Sequence, residues 1–402
     1  MNPVISLLAV SVLALMGCEP TGGATVLVPT LGEMEIVVPR SDLPVVTQDA
    51  NNNLSVIDHE GDLFLAFRTA PTHFASDEVQ MHVLRSDDDG ENWTHELTVD
   101  LDTDVREPQL VSHGGELRLY YAELGSSPSA FEPAGTWTQS RLAPAQWSDA
   151  SAVFEPTFIP WRIRSVDGLL QVFGYSGGEN IYDLDEREPI QVRWLQSEEG
   201  LSWEPVIPGH EVVLEGGGSE TDAAFTEDGT LVAIVRNEAG DEDGFGSKVC
   251  TAPPESLGTW TCSSDPRKFD SPLVLQEGGR IWMVARRNLT ADGHFDLGHD
   301  DAEAQTLFLR YQLDYWQQPK RCSLWEIDPE SRTVRWEADL PGRGDTCFPD
   351  ERPLGPGHWE IWNYSSALEG EEPSWLDGQN NPTFIYRMEV RFEEQASDAL
   401  GT

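Results

Sequence analysis

The stretch SDDDGENW, residues 86–93, decides how the fold is predicted, because its three consecutive aspartates admit different structures. They could form an acidic metal loop, a catalytic carboxylate cluster or a turn without chemistry. A calcium loop of the EF-hand type is excluded because the ligand spacing is wrong. Aspartate and glycine are typical of tight turns between strands. We therefore interpret residues 86–93 as a turn between two strands, with a plain acidic surface loop as the alternative.

A turn glycine precedes each of six short alternating apolar runs, which are typical of β-strands. These glycines are Gly61, Gly115, Gly168, Gly229, Gly279 and Gly357. They are 54, 53, 61, 50 and 78 residues apart, and tryptophans follow them in step at Trp93, Trp147, Trp203, Trp260 and Trp336. A repeat of this length, with several strands per unit, predicts an all-β, six-bladed β-propeller without a long helix.

We expect the propeller to occupy residues 41–395, with a short tail at 396–402. Residues 18–40 are predicted to be a linker, within which residues 25–39 could supply a strand that closes the ring. The longest interval between glycines carries an insertion at residues 288–320.

Composition and the N-terminus restrict the classes of partner. The formal charge of −44, from 70 acidic and 26 basic residues, argues against nucleic acid as a partner, because no basic stripe could neutralise phosphates.

Residues 1–17 are typical of a secretory signal peptide, and Cys18 follows a lipobox-like sequence. We expect a lipoprotein, anchored by lipid on Cys18 at the bacterial cell envelope, on the outer membrane or the cell surface. Plain secretion is the alternative. We expect a monomer that needs no metal or other cofactor and meets the membrane through the lipid alone.

Four cysteines remain beyond Cys18, an even number that suggests two disulfides in an exported protein. Cys250 and Cys262 flank a turn-rich stretch, so the simplest pairing crosses one hairpin. Cys322–Cys347 is then the second disulfide. A structural zinc site is not expected, because no CxxC or HxxxH spacing occurs.

Positions nine before and seven after each turn glycine are expected to ring one end of the propeller, where converging loops usually form the site. The earlier positions are Asn52, Arg106, Ile159, Glu220, Asp270 and Phe348, and the later ones are Arg68, Ala122, Tyr175, Arg236, Arg286 and Tyr364. Three arginines among the later positions predict a positive patch in a strongly negative protein. Because arginine binds carboxylate and phosphate bidentately, we expect a glycan with an anionic sugar, or another small anion, as the ligand.

Over about residues 50–392 the chain resembles bacterial sialidase-like proteins with Asp-box (BNR) repeats, and it looks closest to their exo-alpha-sialidase-like branch. SDDDGENW fits the Asp-box pattern S-x-D-x-G-x-x-W, and SEEGLSW at 197–203 is a copy one residue short. Further matching segments are FGYSGG at 173–178, SETDAAFTEDGTLVAIVRNE at 219–238 and DSPLVLQEGGRIWMVARRN at 270–288. The resemblance implies a sialidase-type propeller.

The resemblance also implies roles for individual residues. In sialidases three arginines hold the substrate carboxylate, a tyrosine paired with a glutamate is the nucleophile, and an aspartate is the acid/base. Glu220 and Arg236 match the activating glutamate and one arginine, and Arg286 or Arg287 matches another. In the first blade, Asp77 lies in the loop where the acid/base aspartate would sit, with His73 beside it.

Two positions depart from the sialidase pattern. Asn52 stands where the first arginine belongs, and Phe348 stands where the nucleophilic tyrosine belongs. Tyr364, at the other end of that hairpin, is the candidate substitute for the nucleophile. We therefore do not expect the ordinary sialidase mechanism.

Four other residues complete the set of candidates. Arg106 could supply the missing cation or form a structural pair with Glu107. Trp161 could stack on a sugar or pack in the core. Asp345 could be an acid or a turn residue, and Asp270 is expected at the substrate by its position in the repeat.

The first functional hypothesis is a glycoside hydrolase that acts on an acidic or otherwise polar glycan. Glu220 would be the base, Asp77 the acid, and Arg68, Arg236 and Arg286 would hold the substrate. The arginines are expected to lower the pKa of Glu220, and desolvation is expected to raise that of Asp77. The alternative is a propeller that binds glycans or proteins and has lost the nucleophile.

Overall fold

The structure, a computed structural model, describes residues 25–128, 130–178, 180–182 and 188–396. These residues form six antiparallel sheets of four or five strands, which are the six blades of a β-propeller. The predicted signal peptide and Cys18 lie outside the described residues. Within them, no helix has the length and apolar character that crossing a membrane requires.

The strands follow one another blade by blade. The N-terminal strand is β1 (Thr25–Val38). Blade 1 contains β2 (Ala50–His59), β3 (Asp62–Ala70), β4 (Gln80–Ser86) and β5 (Thr94–Val99). Blade 2 contains β6 (Val105–His113), β7 (Glu116–Leu124), β8 (Pro133–Ala143), β9 (Gln146–Trp147) and β10 (Ser151–Ala152). Blade 3 contains β11 (Ile159–Val166), β12 (Leu169–Ser176), β13 (Ile190–Ser197), β14 (Glu204–Pro205) and β15 (Val212–Gly216).

The second half of the chain adds three blades and two helices. Blade 4 contains β16 (Gly218–Phe225), β17 (Leu231–Asn237), β18 (Ser247–Ala252) and β19 (Thr261–Asp265), with a 3-10 turn at Pro254–Ser256. Blade 5 contains β20 (Asp270–Glu277), β21 (Arg280–Asn288), helix α1 (Ala304–Gln317), β22 (Lys320–Asp328) and β23 (Thr333–Asp339). Blade 6 contains β24 (Arg343–Thr346), β25 (Asp350–Gly355), β26 (His358–Ala367), helix α2 (Trp375–Gln379) and β27 (Phe384–Ala396), together with β1.

The predicted six-fold repeat is confirmed. Each of the six turn glycines lies between the first two long strands of a blade. Their φ angles lie between 67° and 92°, a region that glycine enters without steric cost. The expected positions meet across these hairpins, because Asn52 pairs with Arg68 and Asp270 pairs with Arg286.

The stretch 86–93 joins β4 to β5 as a turn. The hydroxyl of Ser86 accepts a hydrogen bond from the amide of Gly90 at 2.8 Å, and the Asp88 carboxylate accepts one from the amide of Asn92 at 2.8 Å. Trp93 is buried and packs edge-on against Trp362 of blade 6. Ser86 and Asp88 therefore organise a turn that packs against the neighbouring blade.

The ring is closed within blade 6, which combines strands from both ends of the chain. Strand β1 pairs with β27 from Thr25–Ala396 to Val38–Ile385 and forms the edge of that sheet. A covalent link adds to this closure, because Cys322 of blade 5 is bonded to Cys347 of blade 6. The other disulfide, Cys250–Cys262, joins paired strands within blade 4. Both predicted disulfides are confirmed.

The prediction of a chain without a long helix was wrong for the insertion at 288–320. Helix α1 has 14 residues and buries Leu307, Phe308, Tyr311 and Tyr315. These side chains fall on one face because helical neighbours are three or four residues apart. In a chain otherwise dominated by strands, this one helix was missed.

We expect the Cys322–Cys347 disulfide to stabilise the junction of blades 5 and 6. It joins cysteines 25 residues apart, and replacing both with alanine is expected to lower the unfolding free energy by about 3 kcal/mol. Amide hydrogen exchange should also quicken at residues 345–349. The matched variant without Cys250–Cys262 should leave exchange at residues 345–349 unchanged. Equal exchange rates at residues 345–349 in all three proteins would contradict a stabilising role of Cys322–Cys347 at this junction.

Candidate functional site

A cavity of about 480 Å³ opens at one end of the propeller. Its charged lining residues come from several blades: Asp104, Arg106, Glu107, Glu220, Arg236, Glu238 and Arg286. Its wall of aromatic and aliphatic side chains includes Phe131, Tyr175, Tyr182, Leu309, Leu313, Tyr315, Trp316, Phe348 and Trp375. The volume is typical of a small-molecule site.

Three arginines reach the cavity from three different blades. Arg106 comes from β6, Arg236 from β17 and Arg286 from β21. Arg106 therefore takes the place in the arginine set that we expected for Arg68. The prediction of Arg68 at the substrate was wrong, because its guanidinium is fully buried and donates a 2.8 Å hydrogen bond to Asp104.

Arg236 lies among three carboxylates. It contacts Glu220, its Nη2 lies 2.6 Å from Glu238, and its Nε lies 3.1 Å from Asp270. Lys268 also approaches Glu238 at 2.8 Å. Burial disfavours ionisation of Glu238, but Arg236 and Lys268 outweigh it and lower the pKa of Glu238 to about 2. This cluster holds Arg236 rigidly at the cavity.

Arg286 is oriented chiefly by uncharged groups. Its Nε and Nη2 donate to the carbonyls of Thr346 and Cys347 at 2.6 and 3.0 Å. Its guanidinium carbon lies 5.2 Å from the ring centre of Trp375, a cation–π distance. The nearest carboxylate with which it pairs, Asp270, is 3.7 Å away. Arg286 therefore keeps much of its positive charge available to an anion.

Glu220 lies beside Arg236 and accepts a 2.7 Å hydrogen bond from the amide of Ser271. We expected the arginines to lower its pKa, and that prediction was wrong. Burial is the largest effect and raises the pKa of Glu220 above its ordinary value, although Arg236 and Arg286 oppose it. Asp270, a second carboxylate, adds to the effect of burial and raises the pKa of Glu220 further.

Asp345 joins His73 to Tyr364. The Tyr364 hydroxyl donates to Asp345 at 2.8 Å, and His73 Nδ1 lies 2.6 Å from the other carboxylate oxygen. Burial disfavours the Asp345 carboxylate, but His73, Arg286 and the hydrogen bond from Tyr364 together outweigh burial and lower the pKa of Asp345. Asp345 is therefore suited to accept hydrogen bonds rather than to act as an acid.

The replacement nucleophile pair that Tyr364 and Glu220 would form is not present. Tyr364 lines the cavity, but its hydroxyl is bonded to Asp345. Burial, with Asp345, raises its pKa well above the ordinary value, which disfavours the nucleophilic phenolate. Phe348 also lines the cavity and packs against Trp161 with ring centres 5.2 Å apart. No hydroxyl stands at its position.

Solved structures show the same architecture. A protein of unknown function from Dyadobacter fermentans has a TM-score of 0.58 at 13% identity, over 91% of this chain and 99% of that chain. Trypanosoma rangeli sialidase in complex with sialic acid has a TM-score of 0.56 at 12% identity, over 92% of this chain and 59% of that chain. The phage phi92 endosialidase has a TM-score of 0.56 at 10% identity, over 90% of this chain and 70% of that chain.

This chain is a sialidase-type six-bladed β-propeller. At these identities the likeness concerns the fold. Neither a protein-family model nor a curated protein sequence matches the chain.

Several residues predicted for the site of this propeller lie elsewhere. Asp77 is exposed and is not part of the cavity lining. Arg287 points away and pairs with Asp339 at 2.7 Å. Trp161 is buried and donates to the carbonyl of Pro272, so the core alternative describes it better. Asp270 is fully buried beneath the arginines that it pairs with, and it is not part of the lining.

Other lining residues escaped sequence analysis because bulges turn them toward the cavity. The strand pairing slips after Asn52, Arg106 and Asp270, in blades 1, 2 and 5. The residues that follow are Asn53, Glu107 and Ser271, and all three have positive φ and line the cavity. They stand eight before the turn glycine, so this neighbouring position of the repeat was the missed signal.

Arg106 does not form the structural pair with Glu107 that we considered. It pairs with Asp104, and its Nη2 donates to the carbonyl of His73 at 2.7 Å.

The described residues include no group of three or more His, Cys, Asp or Glu side chains arranged to hold a metal ion.

We expect Arg236 to be essential to the stability of the carboxylate cluster. Arg236→Leu leaves Glu220 and Glu238 without their central cation and should lower the unfolding free energy by about 3–5 kcal/mol. Arg287→Leu is the control, since it breaks a more exposed pair and should cost at most about 1 kcal/mol. Urea denaturation measures both. Similar small losses in the two variants would show that the cluster does not depend on Arg236.

Proposed function

We propose that this propeller binds glycans that carry an anionic sugar and hydrolyses a glycosidic bond next to that sugar. The observation that carries the proposal is the convergence of Arg106, Arg236 and Arg286 on one cavity that also contains Glu220. Guanidinium groups match the geometry of a carboxylate and bind it with charge-assisted hydrogen bonds. Sialic acid, bound in one solved neighbour, is an example of such a sugar.

The shape of the cavity supports a sugar as the ligand. Aromatic rings such as Trp375, Tyr182 and Trp316 line it beside the charged groups. Trp316 and Tyr182 keep 40% and 37% of their surface exposed, so their rings are accessible at the cavity. Sugars present both apolar C–H faces and hydroxyl groups, and this combination of rings and charges suits them.

Glu220 is the proposed base. Its carboxylate is positioned by Arg236 and by the amide of Ser271, which leaves it fixed beside the arginines that would hold the substrate. A base placed there can take a proton from the water that attacks the sugar. Tyr364 has no part in this step, since its hydroxyl is bonded to Asp345.

A second candidate function is glycan binding without turnover. It is favoured by one observation: the cavity has Phe348 where the resemblance places the nucleophilic tyrosine. A ligand held by the arginines would then remain unchanged.

We expect binding to depend on the anionic group. On a panel of sialylated, uronate-containing, sulfated and neutral glycans, only the anionic members should bind. Arg286→Lys should weaken that binding at least tenfold, because lysine cannot form the bidentate contact. Arg287→Lys is the matched control on the adjacent residue and should bind like the wild type. Equal affinity for neutral glycans would contradict the proposal.

Turnover on the same panel separates the two functions. The wild type should release sugar from at least one anionic glycan, and Glu220→Gln should slow that release by roughly 100-fold or more while binding persists. Calorimetry and assay of the released reducing sugar measure binding and turnover independently. Binding without release from any glycan would rule out the hydrolase and leave the binding function.

The location remains a proposal based on the N-terminal sequence. We propose that Cys18 is lipidated and holds the propeller at the bacterial cell envelope. Metabolic labelling with a fatty acid should mark the wild type and should not mark Cys18→Ala. Labelling of both proteins, or of neither, would contradict lipidation of Cys18.

A further inference from the structure

Glu107 is a cavity residue that the proposed chemistry has not yet used. Strand β6 pairs with β7 at Arg106–Ala122 and resumes at Gln109–Tyr120, so Glu107 lies in a bulge. Its φ is 55°, which is uncommon for a residue other than glycine. Bulges of this kind redirect side chains beside active sites. Here the bulge brings Glu107 into the cavity lining, together with Glu220.

Glu107 has few contacts that would stabilise its charged form. Its Oε1 accepts a long 3.4 Å hydrogen bond from Asn53, and its Oε2 is shielded from solvent without a hydrogen-bond partner among the described residues. The neighbouring Arg106 pairs with Asp104 instead. No described ion pair includes Glu107, whereas Glu220 pairs with Arg236.

The charged and titratable groups that act on Glu107 come from several strands. Glu220 of β16 opposes its ionisation, while Arg106 of β6 and Arg236 of β17 favour it; Tyr175 of β12 also faces it. Burial, reinforced by Glu220, raises the pKa of Glu107 to about 8. The two carboxyl groups in this cavity thus have different surroundings, because Glu220 pairs with an arginine and Glu107 does not. The acid and the base of a hydrolase need such a difference.

We propose that Glu107 is the proton donor to the leaving group, the role that the sequence had suggested for Asp77. This inference rests on the proposed hydrolase function. As the bond between the anomeric carbon and the leaving oxygen breaks, its electron pair goes to that oxygen, which takes the proton of Glu107. Water adds to the anomeric carbon and loses a proton to Glu220. Exchange with solvent then returns a proton to Glu107 and removes one from Glu220, so no other reactant is consumed.

A comparison of leaving groups tests this role. The probes are a matched pair, the methyl and p-nitrophenyl glycosides of the same anionic sugar. N-acetylneuraminate is tried first, and the other anionic sugars of the panel follow. For Glu107→Gln, kcat/KM on the methyl glycoside should fall by roughly 100-fold or more, because methoxide needs the proton. On the p-nitrophenyl glycoside, whose leaving group needs little protonation, the loss should stay below roughly tenfold. Equal losses on both probes would overturn the proposal.

The pH dependence gives a second kinetic readout. A proton donor works only while protonated, so kcat/KM on the methyl glycoside should fall as the pH rises through about 8. This fall should be absent from the residual activity of Glu107→Gln. An identical pH profile in the two proteins would also overturn the proposal.

Direct titration separates failure of this proposal from failure of the hydrolase function. Carboxyl carbon NMR of the wild type should show a glutamate titrating near pH 8, and Glu107→Gln should lack that signal but keep the signal of Glu351, whose pKa burial raises to about 7. Suppose that the wild type hydrolyses the probes. If Glu107→Gln then hydrolyses them equally well, or still shows the signal that titrates near pH 8, only the role of Glu107 is overturned. If the wild type hydrolyses none of the probes, the hydrolase function and the role of Glu107 fall together.

Discussion

Closure of the ring is the constraint on which the site depends, because its arginines come from separate blades. Strand β1 completes blade 6, and hydrogen bonds tie each blade to the next. The contacts that make these ties are Leu110 to Ser55, Ile163 to Gln109, Arg164 to Asp222, Val274 to Asp222, Arg286 to the carbonyls of Thr346 and Cys347, and Val56 to Asp350. With the blades held in this way, the positions of the guanidinium groups are set before a ligand binds. Such preorganisation reduces the free-energy cost of binding.

The protein has a strongly negative total charge and nevertheless collects arginines at one cavity. Each arginine is positioned differently: Arg236 by three carboxylates, Arg106 by Asp104, and Arg286 mainly by backbone carbonyls. The carboxylates around Arg236 offset its charge, whereas Arg286 is offset least. We infer that Arg286 contributes most to attraction of an anion, and that the cluster around Arg236 mainly fixes geometry and provides Glu220 as the base.

The sequence was sufficient to predict the fold, because a turn glycine recurs in every blade and the SDDDGENW turn connects two strands of the first blade. The same spacing identified Glu220, Arg236 and Arg286. The spacing failed for Arg68, which is buried against Asp104, and the resemblance failed for Asp77, which is exposed outside the cavity. The spacing also missed Glu107 and helix α1. Bulges shift the inward face by one residue, and the course of an insertion depends on tertiary packing, so neither follows from the repeat.

The structure of the protein in complex with an anionic glycan that it binds tests the central claim most directly. The account predicts that the anionic group of the sugar lies within hydrogen-bond distance of Arg286 and of at least one of Arg106 and Arg236, at roughly 3 Å. It also predicts that the glycosidic oxygen faces Glu107. An anionic group that points to solvent, or a glycan bound away from this cavity, would contradict the account.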